Sequence, residues 1–273
     1  MHVERILPAN ERAVLAYLSR APYDNVFLSH LVLADRSSVI RDGLFVAMDD
    51  GNVVGAAYFG RQIVLACEPR ALGAFADVAQ RRRGERMIVG PRDTVAALWR
   101  LLRDRRPPPR LVRDRQLVMA VDRATLRAHP GVPALIVRPA RANESTAVTE
   151  SSAQMIESEL GYDPRRTSPD FASGVRAMIE REAWWVAQRG DALCFFCSIG
   201  PWCEHTMQLQ GIWTPPPMRG RGFATAALTA ICDRLLEVSP TLSLYVNDFN
   251  ERAIGLYRRV GFAHVSDFQT ILF

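Results

Sequence analysis

The chain has 273 residues, 48% of them apolar and 23% charged, with a formal net charge of +5. That is ordinary globular composition, which excludes a disordered, collagen-like or membrane-bundle chain, and no run approaches the ~20 apolar residues a membrane span needs. Length alone allows one large domain or two ordinary ones. All 34 basic residues are arginine. Without lysine there is no Schiff-base lysine and no P-loop lysine, so pyridoxal-phosphate enzymes and ordinary P-loop NTPases are excluded. The charge suits an anionic ligand but is too mild to argue for nucleic acid. The first residues, Met1 to Arg5, lack the basic-then-apolar order of a secretion signal, so a cytoplasmic location is the expectation.

Asn10 is placed to cap a helix running to about Ser19, and a second helix is predicted from Asn25 to Ala34. Leu44 to Met48 and Val53 to Phe59 read as two strands joined by Asp49-Asp50-Gly51-Asn52, a strong hairpin signal. Ile63 to Cys67 is a third strand, Arg70 to Arg82 a helix, and Met87 to Val89 a short strand. Asp93 opens a helix carrying Val95, Leu98, Trp99 and Leu102 on one face. The basic segment Arg103 to Arg115, interrupted by three prolines, reads as a solvated loop, with an acidic acceptor or docking partner as the alternative. No aromatic residue interleaves with its arginines, which counts against single-stranded nucleic acid. A strand from Gln116 to Val121 precedes a polar, Pro/Gly-punctuated stretch, Asp122 to Pro133, which is the expected linker. Domains are therefore expected at 1–122 and 134–273, joined by 123–133.

The second half repeats the order. Ala134 to Val137 is a strand, Asn143 to Leu160 and Pro169 to Glu182 are helices, and Ala183 to Gln188, Ala192 to Ile199 and Thr206 to Trp213 are consecutive strands. A triple proline and a glycine-rich turn lead into a helix from about Arg221 to Glu237. Thr241 to Val246, the helix Asn250 to Val260, and closing strands Phe262 to Val265 and Phe268 to Phe273 complete it. The repeated order predicts a tandem duplication of one α/β unit, each a mixed central sheet flanked by helices.

Cys194, Cys197, Cys203 and His205 have a spacing that invites zinc. On the strand predicted there, however, residues three apart face opposite ways, so packed thiols are expected and no metal. Arg219-Gly220-Arg221-Gly222-Phe223-Ala224 follows a strand and opens a helix. Glycines at such a turn let backbone N–H groups approach an anion, and the helix dipole and two arginines add positive potential, which predicts a pyrophosphate nest. Asn247, Asp248 and Asn250 stand between a strand and a helix, where capping suits them, and Tyr257 lies two turns into that helix.

Together these stretches resemble the GNAT superfamily, the Gcn5-related N-acetyltransferases. Its pyrophosphate turn, Q/R-x-x-G-x-G/A, is matched by Arg219, Gly222 and Ala224. Its later signature, a strand-end Asn followed by N-x-x-A-x-x-L-Y-x-x-x-G-F, is matched by Asn247, Asn250, Ala253, Leu256, Tyr257, Gly261 and Phe262. The whole chain is similar to bacterial two-domain GNATs in which one half keeps the coenzyme site. The N-terminal half has neither motif: Cys67-Glu68-Pro69-Arg70 follows its third strand, and Glu68 would repel a phosphate.

The resemblance implies acetyl-CoA as co-substrate, no metal, and direct attack by a primary amine of a small molecule or a protein N-terminus. It implies that the backbone of Arg219, Gly220, Arg221, Gly222, Phe223 and Ala224 holds the pyrophosphate. The strand residues Gly211, Ile212 and Trp213 would pair with the pantetheine arm, with Asn247 and Asn250 beside it. Tyr257 would protonate the departing thiolate. A base is also required; Glu159 is the first candidate, ahead of Glu157, Glu204 and His205, and Gln208 or Gln210 is expected to face the acceptor. A coenzyme-binding regulatory module without turnover, or an acyl or aminoacyl transferase on the same fold, stays open as an alternative. So does the choice of monomer or homodimer.

Overall fold

The computed structural model describes residues 1–34 and 38–273. In chain order the first half comprises β1 (His2–Arg5), α1 (Glu11–Leu18), α2 (Pro22–Ala34), α3 (Ser38–Arg41), β2 (Leu44–Asp49), β3 (Asn52–Phe59), β4 (Gln62–Cys67), α4 (Leu72–Arg81), β5 (Met87–Pro91), α5 (Arg92–Leu102) and β6 (Leu111–Asp122). The second half comprises β7 (Ile136–Pro139), α6 (Ser145–Leu160), α7 (Pro164–Thr167), α8 (Phe171–Glu180), β8 (Trp184–Arg189), β9 (Ala192–Trp202), β10 (Met207–Trp213), α9 (Phe223–Leu235), β11 (Thr241–Asn247), α10 (Glu251–Val260) and β12 (Ala263–Leu272). Apart from the one-turn helices α3 and α7 the two orders coincide, as the repeated sequence pattern predicts.

All twelve described strands join one sheet in the order β1-β2-β3-β4-β5-β12-β6-β11-β10-β9-β8-β7. The pairings β4–β5 and β10–β11 are parallel, and the others are antiparallel. The two final strands are exchanged. β12 of the second half pairs with β5 of the first, and β6 of the first half lies between β11 and β12. Each half's sheet is thus completed by the other's last strand, which removes the two edges that would otherwise face each other.

Strand alternation sends side chains to two layers. On one face, α4 and α5 cover Leu65, Ile88 and Ile271, and α9 and α10 cover Met119, Cys197, Leu209 and Leu244. On the other, α1 and α2 cover Val46, Val64, Val118 and Phe268, while α6 and α8 cover Trp184, Val186 and Phe196. Cys194, Cys197, Cys203 and Cys232 are buried free thiols, and among the described residues no group of three or more His, Cys, Asp or Glu could hold a metal ion.

Two local expectations need correction. The closing residues form a single strand with irregularities near His264–Ser266 and Phe268–Thr270 rather than two strands. The polar Ser266 and Asp267 that interrupt the apolar pattern stay in the ladder because each finds a partner, Asp24 and Arg115 respectively. The basic segment is only partly a loop, since β6 already begins at Leu111. Within it Arg106 is 2% exposed in its side chain, ion-paired with Glu85, and donates to the carbonyls of Ala79 (2.7 Å) and Arg82 (3.1 Å). Those carbonyls end α4, where a cation is favoured by the unsatisfied acceptors and the dipole.

Candidate active site

β10 and β11 pair in parallel at Met207–Leu242 and Gln208–Ser243, and no further pair follows. The cause of their parting lies on the other side of β10. Against β9, Gln210 pairs with Ser198 and Trp213 with Phe196, so β10 has one residue more than its partner. This is a β-bulge, and Gly211 sits in it at φ +57°, a conformation that favours glycine. Bulges re-aim strands, and here Ile212 and Trp213 leave β11.

Past β10 the chain makes a short 3-10 turn, Pro216–Met218, and enters α9 through two left-handed glycines, Gly220 (φ +72°) and Gly222 (φ +78°). Among the described residues, no backbone carbonyl accepts from the amides of 220–225. A Cβ at Gly220 would meet nothing within 4 Å. The turn is therefore an open array of N–H donors at a helix N-terminus, the arrangement that binds anions. Arg219 packs its guanidinium 4.5 Å from the centre of the Trp213 ring and donates from Nε to the Thr214 carbonyl (3.0 Å). Arg221 lies over Phe223, 5.2 Å from its ring centre. Both charges are steadied at the mouth rather than dispersed in solvent.

A cleft of ≈ 1520 Å³ runs through the sheet where the strands part. Its lining includes Gly211 to Trp213, the whole turn from Arg219 to Ala224, Asn247, Asn250, Tyr257 and Glu159. Tyr257 belongs to the α9–α10 layer, is 6% exposed, and has its ring 5.9 Å from that of Phe262. Its hydroxyl makes no hydrogen bond among the described residues. Burial first, then the nearby Glu159 and Cys197, push its pKa well above that of an ordinary phenol, so it is protonated at neutral pH. Glu159 approaches from α6 on the opposite layer, at the solvent-accessible rim. The cleft walls raise its pKa by desolvation, and Arg113 partly opposes them.

The two asparagines are held differently. Asn247 Oδ1 accepts from Gln116 Nε2 (3.0 Å), and Gln116 Oε1 in turn accepts from Thr270 Oγ1 (2.6 Å). Asn250 Oδ1 accepts from the Ala253 amide (3.2 Å) and so caps α10. In both, the side-chain NH₂ finds no acceptor among the described residues.

Comparison with known proteins gives a family for the second half. Residues 152–262 match the model of the acetyltransferase (GNAT) family, and residues 43–148 match a domain of unknown function, DUF4081. The chain carries a GNAT acetyltransferase domain. It is similar to the mycothiol acetyltransferase of Acidimicrobium ferrooxidans, 36% identical over 94 residues, a match that spans 30% of this chain and 30% of that protein. Among solved structures it resembles a GNAT-family acetyltransferase from Colwellia psychrerythraea (14% identical, all of both chains covered, TM-score 0.58). It also resembles a tandem GNAT protein from the clavulanic acid biosynthesis pathway (14% identical, 98% of each chain, TM-score 0.54). At such identities the likeness is one of fold.

Gly211 to Trp213, Arg219 to Ala224, Asn247, Asn250, Tyr257 and Glu159 thus meet in one cleft, whereas Glu157, also weighed as a base, does not line it. Glu204 and His205, also weighed as bases, precede β10 at the end remote from the splay and do not line it. Gln208 and Gln210 do line it, with Gln210 Nε2 donating to Gln208 Oε1 (3.0 Å). Several lining residues had no local signal: Asp24 and Phe27 from α2, Gln62 and Val64 from β4, Arg113 and Gln116 from β6. All belong to the first half. They reach the GNAT domain through the strand exchange and the packing of α2, which no local pattern discloses.

Proposed function

We propose that the protein is an acetyl-CoA-dependent N-acetyltransferase with one coenzyme site, in the second half. The observation that carries this reading is the convergence, in one cleft, of a bulged and splayed strand, an anion-binding helix N-terminus and a buried, unbonded Tyr257. The fit of acetyl-CoA rests on the open amides at 220–225, on Gly220 and Gly222, and on Arg219 and Arg221 for its phosphates. When bound, it supplies an activated acetyl thioester. The named activity of the Acidimicrobium relative, acetyl transfer, supports the same reaction class.

Each residue's role follows from its position. The N–H groups of Gly220 to Ala224 bind the pyrophosphate. Exposed backbone of Gly211 to Trp213 pairs with the pantetheine arm, and an N–H there polarises the thioester oxygen, as an oxyanion donor does. Asn247 and Asn250 offer their free NH₂ groups to the same arm. Glu159 takes the proton that an ammonium acceptor must lose, and the amine then attacks the carbonyl carbon. As the C–S bond breaks, Tyr257 gives its proton to the sulfur, and the proton that the attacking nitrogen sheds as it becomes the amide restores the tyrosine, directly or through water. On this reading residues 1–122 are the domain that completes the acceptor pocket, 123–133 the linker and 134–273 the transferase.

Incubation of the protein with acetyl-CoA and a panel of primary amines, with release of free thiol followed, tests the proposal. Amine-dependent thiol release that is lost in Tyr257→Phe supports it. Tight binding without release for every amine would favour a regulatory coenzyme-binding role instead.

A further inference from the structure

The acceptor end of the cleft bears charges that the proposed chemistry does not use. Three consecutive charged residues on β6, Arg113, Asp114 and Arg115, differ sharply in their partners. Asp114 is paired with Arg92 and accepts from Gln269 Nε2 (2.8 Å), and Arg115 is paired with Asp267 (2.9 Å). Among the described residues Arg113 has no hydrogen-bond partner and no carboxylate within 4.0 Å.

Its direction is set by the backbone. Across from β12, Gln116 pairs with Phe268 and Arg113 with Thr270, so β6 spends three residues where β12 spends two. Without that extra residue, Arg113 would point to the face opposite Gln116. With it, both line the cleft. The strand exchange carries this residue of the first half into the second half's site, and the bulge turns it inward.

Glu159 and Asp24 line the same cleft, and the Arg113 charge reaches the Glu159 carboxylate. Asp24 accepts from Ser266 Oγ, which fixes one of its oxygens. The amides of Gln208 and Gln210 line the same cleft. A half-buried guanidinium with no ion-paired carboxylate among the described residues, only the more distant Glu159 charge, costs desolvation free energy, which a ligand anion would repay.

We propose that the acceptor is a small amine that carries its own anionic group, a carboxylate or a phosphate. Arg113 binds the anion in bidentate fashion while Glu159 and Asp24 face the ammonium. Arg113 is then a specificity-determining residue, and substrate choice is written in the first half although the chemistry belongs to the second. This inference rests on the N-acetyltransferase reading.

Matched pairs of acceptors test it: amino acids against their amino alcohols for carboxylate, and glucosamine 6-phosphate against glucosamine for phosphate. The anionic member of at least one pair is expected to show a kcat/KM about tenfold or more above its neutral counterpart. The pair that shows it identifies the anion. Arg113→Gln should erase the preference mainly through KM, Arg113→Lys should restore part of it, and both should bind acetyl-CoA within about twofold of wild type. Binding of the same pairs to protein saturated with CoA gives a second reading that does not need turnover. Equal or better use and binding of the neutral member in every pair, or a preference that survives Arg113→Gln, overturns the proposal. Absence of any acetyl-CoA binding would instead overturn the acetyltransferase reading, and this inference with it.

Discussion

In the first half β4 and β5 pair in parallel at Gln62–Met87 and Ile63–Ile88; in the second, β10 and β11 do so at Met207–Leu242 and Gln208–Ser243. From there the two diverge. β4 keeps an unbroken register with β3 from Ile63 to Cys67, whereas β10 spends an extra residue against β9 at Gly211. After β4, the Glu68 amide still donates to Val54 (2.9 Å), and Arg70 is paired with Glu68 and Asp49. The helix that follows, α4, has Ala71 rather than a left-handed glycine at its N-cap. Gly90 on β5 stays close to β4: a Cβ built there would lie 3.7 Å from the Leu65 carbonyl oxygen and from Val95. Phe75 packs in the same apolar cluster as Leu65 and Ile88. One architecture thus serves as core in one half and as a cleft in the other. The difference lies in one bulge, two positive-φ glycines and a turn whose arginines pair with no carboxylate among the described residues.

The sharpest way to break this comparison is at Tyr257, which has no counterpart before β6. Tyr257→Phe should lower kcat by ~10²–10⁴-fold, with acetyl-CoA affinity and melting temperature nearly unchanged, because the hydroxyl acts as the thiolate forms. Steady-state kinetics with calorimetry on the same variant checks this. A loss of stability with kcat within about twofold of wild type would reduce Tyr257 to a packing residue.

Glu159 comes next. A general base works when ionised, and its raised pKa means that activity should fall with decreasing pH above the ordinary carboxylate range. Glu159→Gln should lower kcat by about 10²-fold and remove that acid limb from the pH profile. An unchanged limb would assign it to another group facing the cleft, of which Asp24, also raised by burial, is the first to examine.

At the turn, Gly222→Val forces a β-branched side chain into φ +78° and blocks approach to the amides. Affinity for acetyl-CoA should fall about tenfold or more, since left-handed backbone alone costs ~1–2 kcal/mol. Gly73→Ala in α4, where an added Cβ meets nothing within 4 Å, should leave affinity unchanged. Equal losses from the two would mean that the halves do not differ as described.

The smallest effect is expected where α6, the helix that carries Glu159, is anchored. Two hydrogen bonds from Arg138 (2.7 and 2.8 Å), with further donors at Arg141 N and Gln188, hold the Glu144 carboxylate down to about 2. A depressed carboxylate stabilises the fold above its unfolded value near 4.5, and that contribution is lost as pH falls through about 2. Glu144→Gln should cost about 1–2 kcal/mol at neutral pH. It should also flatten the decline in stability between those two pH values, as followed by denaturant titration.

Much of this was legible in the residues. Element order, the hairpin at Asp49 to Asn52 and the glycine turn follow from local patterns whose physics is local: turn φ values, capping and helical periodicity. The strand exchange was not, because β6 and β12 each carry an alternation that would suit either neighbour. Arg113 illustrates the same limit. In sequence it is one arginine of a basic run, and only a bulge against a strand about 150 positions away gives it a direction. Among the described residues no helix is long and apolar enough to cross a membrane.

The central claim is that one half binds the coenzyme and the other does not. Isothermal titration of the full chain with acetyl-CoA tests it most directly. The account predicts a stoichiometry of one per chain, with the binding heat weakened by Gly222→Val. A stoichiometry near two, or one site whose affinity ignores Gly222→Val, would contradict it.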